Sequence, residues 1–101
     1  MIVNINGKKY TMRYTVNSLC ALEDRAGMPI DRLMNRQFSA TRLLLWAGLC
    51  EEQPEMSLRD VGAMIGECVA AGGCLTDIVD MCANGLREAG FFGDEAKGDA
   101  Q

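Results

Sequence analysis

Five cysteines, Cys20, Cys50, Cys68, Cys74 and Cys82, are the side chains of this sequence most suited to chemistry, and the sequence supplies nothing to activate them. A catalytic thiol needs a base to take its proton, and the 101 residues contain no His. A zinc site needs close, convergent ligands. The five residues between Cys68 and Cys74 and the seven between Cys74 and Cys82 match no common pair of zinc knuckles. The cysteine count is odd, most of these residues fall within apolar helical periodicity, and no signal-peptide pattern precedes them. Free, buried thiols in a reducing compartment are therefore expected. The carboxylates Glu23 and Asp24, Glu51 and Glu52, and Asp77 and Asp80 stand where a water-facing helix surface ordinarily places them. There is no Gly-rich phosphate loop and no Gly-x-Ser-x-Gly elbow. The expectation is a chain that is not an enzyme and holds no metal or cofactor.

The charge balance narrows the partners. With 14 acidic against 10 basic residues the net charge is −4, which gives no general attraction for nucleic acid or for an anionic membrane surface. The stretch from Ser57 to Leu86 has the outline of a helix-turn-helix. Its second helix, however, offers Asp77, Asp80, Asn84 and Arg87, while Lys8, Lys9 and Arg13 lie far away in sequence. A recognition helix exposes basic and amide side chains to phosphates and base edges, so no nucleic-acid partner is expected. The longest apolar run is too short to span a bilayer. What remains is protein recognition. Met28, Met34, Met56, Met64 and Met81 are unbranched and polarizable, suited either to filling core gaps or to covering varied apolar surfaces.

The elements that must position these residues begin with a hairpin. Asn6-Gly7 favours a two-residue turn with both central residues left-handed, which sets Ile5 opposite Lys8, Val3 opposite Tyr10 and Met1 opposite Met12. Val3, Ile5, Tyr10, Met12 and Tyr14 then share the side that packs on the rest of the chain. Ile2 faces outward or is covered by a partner. From Val16 the period becomes helical, with Thr15 or Asn17 as cap, an apolar stripe of Val16, Leu19, Cys20 and Leu22, and a stop at Gly27. Pro29 opens a short second helix carrying Ile30, Leu33 and Met34.

The most apolar run, Ser39 to Cys50, holds the only Trp and predicts a buried central helix extending to about Glu52. Ser39 is expected to cap it, with Phe38 folded back on Leu43 as a hydrophobic staple. Ser57 and Asp60 have capping-box spacing for the next helix, which lines up Leu58, Val61, Met64 or Ile65, and Cys68. Its Gly62, Ala63 and Gly66 would let another helix approach closely. After the Gly72-Gly73 joint, Leu75, Ile78, Val79, Cys82 and Leu86 form a last apolar stripe, ending near Phe91-Phe92. The fold class is α+β, predominantly helical, with the N-terminal β-hairpin packed on a bundle of about four to five helices. Residues 1–92 make one domain, and the polar tail over 93–101 is expected to be mobile.

The hairpin and first helices, VNINGKKYTMRYTVNSLCALEDRAGMPIDRLM, followed by FSATRLLLWAGLCEEQPEMSLRDVGAMIGE, resemble the small tail assembly chaperones of long-tailed phages, in particular the branch in gene transfer agents and prophages. The resemblance runs from about Ile5 to Glu67 and continues more weakly over Leu75 to Leu86. It implies binding to the long tape measure protein, keeping it soluble in the cytoplasm of the bacterial host, helping to recruit tail tube protein, and absence from the mature particle. A frameshifted longer form of the chain and a homo-oligomer fit the same pattern. Leu45, Trp46, Ala47 and Leu49 match the family's buried helix. For the protein-binding surface the candidates are Tyr10, Met12 and Tyr14 on the hairpin, Met28, Ile30 and Met34 around the second helix, and Phe91 and Phe92. The many Cys and the Gly72-Gly73 interruption depart from the family pattern. A small regulatory adaptor and a structural tail component are the alternatives.

Overall fold

The structure, a computed structural model, describes residues 1–91; Phe92 and the tail over 93–101 lie outside the described residues. An antiparallel hairpin, β1 (Ile2–Ile5) and β2 (Lys8–Thr11), packs on five helices: α1 (Val16–Ala26), α2 (Ile30–Leu33), α3 (Gln37–Leu49), α4 (Leu58–Ala70) and α5 (Leu75–Glu88). This is the α+β, mainly helical architecture that the sequence predicts.

The hairpin has the expected turn and register. Asn6 and Gly7 take φ of 56° and 82°, as a tight two-residue turn requires, and Ile5 and Val3 pair with Lys8 and Tyr10. Val3, Ile5, Met12 and Tyr14 are buried, Tyr10 is half-buried, and Ile2 is 65% exposed on the opposite face. A two-stranded ribbon is marginal alone, so side-chain amides tie it down. Gln53 acts as a short substitute strand, accepting the Thr11 N–H at 3.1 Å and donating to the Thr11 carbonyl at 3.0 Å and the Leu49 carbonyl at 2.6 Å. At the turn, Asn6 Nδ2 donates to the Met64 carbonyl at 3.0 Å, fixing the hairpin to α4.

Helix α1 takes Thr15 as its cap. Ser18 fills the third position of the box: its N–H donates to Thr15 Oγ1 at 3.0 Å, and its hydroxyl accepts the Thr15 N–H at 2.9 Å. Because the Ser18 hydroxyl also donates to the Thr15 carbonyl at 3.0 Å and so is satisfied locally, Ser18 can be buried, and this sets the helix phase. The apolar stripe is consequently rotated from the expected one. Leu22 is buried and Leu19 half-buried, but Val16 is 65% exposed and Cys20 lies outside.

Helix α3 is the hub and touches α1, α2, α4 and α5. It is buried nearly all round from Ala40 to Leu49, Arg42 excepted, as its composition predicts. Its start differs from expectation. The α2 turn runs directly into it, Arg36 N–H bonding the Leu33 carbonyl at 2.8 Å and Ala40 N–H the Arg36 carbonyl at 2.7 Å. The cap position is therefore Arg36, and Ser39 lies within the first turn. Phe38 is no staple; it is 74% exposed. The regular helix also ends earlier than expected, at Leu49, where Gln53 takes the carbonyl. Trp46 is fixed by its Nε1–H to the Met56 carbonyl at 3.3 Å, and the Arg25 guanidinium lies 5.1 Å from its ring centre.

The Ser57 box on α4 forms as predicted, with Asp60 N–H to Ser57 Oγ at 3.1 Å and Ser57 N–H to Asp60 Oδ2 at 3.0 Å. These bonds hold the Asp60 carboxyl below its ordinary range. Ser57→Ala removes one arm and should destabilise the fold by about 1 kcal/mol, read as a lower denaturation midpoint with unchanged slope. An unchanged midpoint would mean that the amide is satisfied without the hydroxyl.

Close approach occurs at glycines other than those expected. A Cβ on Gly48 of α3 would lie 2.8 Å from Tyr14 Cζ, and one on Gly85 of α5 would lie 2.7 Å from Met12 Sδ and 3.0 Å from Tyr14 Cε2. The Tyr14 ring thus occupies the space that two helices leave by having no side chain there. Gly62 meets only Arg42 Cδ at 3.4 Å, and Gly66 meets nothing within 4 Å.

Candidate functional site

Helix α4 carries Leu58, Val61, Met64, Ile65, Cys68 and Val69, yet only Val61 is fully buried. Its apolar side is incompletely used by its own chain, and what it leaves open is a trough of about 770 Å³. One wall is the first two turns of α3, with Phe38 and Arg42. The floor and second wall are Gly62, Ile65, Gly66 and Val69 of α4, and the end is closed by the joint from Gly73 to Thr76. A smaller hollow of about 250 Å³, lined by Met34, Leu44 and Val79, shares Gln37 and Thr76 with the trough. The two form one surface, with Phe38 74%, Met34 48% and Val69 47% exposed.

The joint owes its shape to backbone chemistry. Gly72, at φ 98°, ends α4 with its N–H on the Val69 carbonyl at 3.0 Å, and Gly73 N–H bonds the Cys68 carbonyl at 2.9 Å. That crossed pair of bonds turns the chain sharply into α5 and sets Leu75 at the trough's end. Among the described residues, Arg42 is the one charged side chain along the lining. The trough is within the size range of small-molecule sites, and its lining sets the polar Gln37, Ser39, Arg42 and Thr76 beside the apolar Phe38, Ile65, Val69 and Leu75. Its shape suits an apolar side chain row of another helix, with Gly66 allowing close backbone approach.

The sequence candidates do not converge here. Met12 and Tyr14 are buried at 2% and 3% exposure, because the hairpin's inner side is the chain's own core, so they offer no partner surface. Tyr10 is half-buried, with Lys8 Nζ 5.7 Å from its ring centre. Met28 and Ile30 pack partly against the core. Phe91 is 40% exposed beyond the far end of α5, and Phe92 lies outside the described residues. Among the described candidates, only Met34 borders the surface described above. Sequence reasoning missed Phe38, Ile65, Val69 and Leu75 as surface residues. The available signal was Gly62 and Gly66, read as room for a helix; no helix among the described residues fills the space at Gly66.

Other chemistry is sparse. Among the described residues no three Cys, Asp or Glu side chains come together as metal ligands, and no helix is long and apolar enough to cross a membrane. Cys20 and Cys74 are exposed, Cys50 and Cys68 half-buried, and Cys82 buried. Burial pushes the Cys82 thiol up to about 11 against a smaller opposing pull from the Tyr14 hydroxyl, the reverse of what a reactive thiol needs. Comparison with protein-family models, with curated proteins and with solved structures finds no match.

Proposed function

We infer that this chain is a protein-binding module whose trough between α3, α4 and α5 receives the apolar face of a helix from another protein. The observation that carries this reading is the exposed pair Phe38 and Val69 flanking an unoccupied strip at Gly66. Exposed apolar patches rimmed by polar residues are characteristic of interaction surfaces. Joined to the sequence resemblance, the client is a tape measure protein. The chain acts as a tail assembly chaperone that covers apolar helical segments in the host cytoplasm, assists recruitment of tail tube subunits, and leaves before the particle matures. Several copies along one long client gain from local concentration, and a net charge of −4 on each copy keeps the assembly dispersed.

Co-expression with the long helical tape measure protein, followed by size-exclusion chromatography with light scattering, tests this reading. The expected result is a soluble complex of defined stoichiometry. Val69→Asp should weaken it about 100-fold or more, because an apolar contact is lost and an unpaired carboxylate is desolvated. Phe38→Ala should weaken it less, and both variants should keep wild-type circular dichroism because these side chains are substantially exposed. A client that stays insoluble, with no complex formed by a folded chain, defeats the reading. Persistence in finished particles would instead identify a structural tail component.

A further inference from the structure

The two edges of the hairpin are treated differently, and the difference follows from the hydrogen-bond phase. Met12 N–H donates to the Met1 carbonyl at 2.8 Å and the Met1 ammonium to the Met12 carbonyl at 3.3 Å, so these two residues form a bonded pair. Alternation along an antiparallel ladder makes Val3 with Tyr10 and Ile5 with Lys8 the other bonded pairs. The N–H and C=O groups of Ile2, Asn4, Lys9 and Thr11 therefore point away from the ladder. On the β2 side the Gln53 amide closes the edge at Thr11, and the Arg13 N–H beyond it bonds the Gly48 carbonyl at 2.7 Å. On the β1 side no hydrogen bond reaches the outward groups of Ile2 or Asn4 from any described residue. Unpaired backbone groups are rarely buried, which places this edge at the surface.

We propose that the β1 edge joins the β1 edge of a second copy, making a four-stranded antiparallel sheet across a two-fold axis. The outward groups are self-complementary. With the axis at Val3, Ile2 faces Asn4 of the second copy and Asn4 faces its Ile2, giving four backbone hydrogen bonds from four outward-facing residues. The strand IVNI carries no charge, so two copies meet without the like-charge repulsion that Lys8 and Lys9 would impose on β2. Ile2, 65% exposed, becomes the diagonal neighbour of its counterpart on the outer face. Gln53 occupies the β2 edge at Thr11, and the Lys8 and Lys9 charges repel a further strand along the rest of it, so addition stops at two copies. The contact is independent of what the trough binds.

Sedimentation equilibrium and amide hydrogen exchange on the full chain, over a range of concentrations, test the contact. A monomer–dimer equilibrium is expected, with the Ile2 and Asn4 amides gaining protection as concentration rises. Ile2→Pro deletes an outward N–H that the chain itself does not use, and should raise the dimer dissociation constant about tenfold or more. Ile2→Lys places two like charges diagonally across the seam and should act in the same direction with the fold unchanged. A chain that is monomeric at every concentration overturns the proposal and leaves the edge to an extended strand of a different protein. A dimer that ignores both substitutions, or leaves the Ile2 and Asn4 amides unprotected, overturns it equally.

Discussion

Tyr14→Ala is expected to destabilise the protein by about 3–5 kcal/mol, the range for removing a buried aromatic side chain. Three observations put the ring at the centre of the fold. It is 3% exposed, its hydroxyl donates to the Leu44 carbonyl at 2.5 Å, and it fills the space above Gly48 of α3 and Gly85 of α5. Neither glycine can supply replacement atoms when the ring is removed, so the cavity has little with which to collapse. The hairpin and two helices lose their shared contact together. Against a total stability of about 5–15 kcal/mol for a small domain, this is a large share. Tyr14→Phe separates packing from polarity. It keeps the ring and removes only the hydroxyl bond, so its cost should be about 1 kcal/mol. Denaturant titration of the two variants decides the matter. Equal losses would place the stabilisation in the hydrogen bond, and a loss under 1 kcal/mol for the alanine variant would show that the ring is not a packing centre.

Local chemistry was legible in the sequence and tertiary phase was not. Asn6-Gly7 forces a turn by its own backbone preferences, and the Ser57 box closes within one helical turn, so neither depends on distant residues. The stretch from Leu43 to Leu49 is apolar enough that any phase buries it. Where the phase is fixed by a neighbour, periodicity misled. Ser18 turns inward because Thr15 satisfies it, moving Val16 and Cys20 out of the predicted stripe. Helix α3 starts early because α2 runs into it, leaving Phe38 in solvent. That same shift creates one wall of the trough, so the mistaken staple and the unforeseen surface residue have a single cause. The hairpin's apolar side was correctly identified as inward. Naming Met12 and Tyr14 as partner contacts as well overlooked that one side of a ribbon cannot both seal its own core and face a partner. The glycines that Tyr14 and Met12 approach lie on helices distant in sequence, and no local pattern pairs them.

The second large effect is a loss of stability in alkali. Burial pushes the Cys82 thiol from an ordinary 9.0 up to about 11, and pushes Tyr14 upward as well, with the Cys82 and Cys50 thiols adding to that shift. Below pH 9 folded and unfolded chains both retain the Cys82 proton, so its stabilising contribution is fully present. As pH rises from 9 towards 11 the unfolded chain releases this proton while the folded chain keeps it. The folded state then binds more protons, and stability falls by up to about 1.4 kcal/mol per pH unit, roughly 2–3 kcal/mol over the window. Tyr14 contributes with the same sign once pH exceeds its ordinary value of 10. The interval from pH 9 to 10 therefore reports chiefly the buried thiols, Cys82 and also Cys50, which burial pushes up as well, and comparison with Cys82→Ala isolates Cys82. Denaturation midpoints measured there should decline in wild type, and the decline should be shallower in Cys82→Ala, whose lower starting stability is compared only with itself. Matching slopes in the two proteins would show that the thiol is not sheltered in the folded state. A decline confined to pH above 10 would assign the alkaline sensitivity to Tyr14 alone. The steeper wild-type slope is the expected one, because Cys82 is buried beside the Tyr14 hydroxyl, and among the described residues no cation offsets the cost of burying its thiolate.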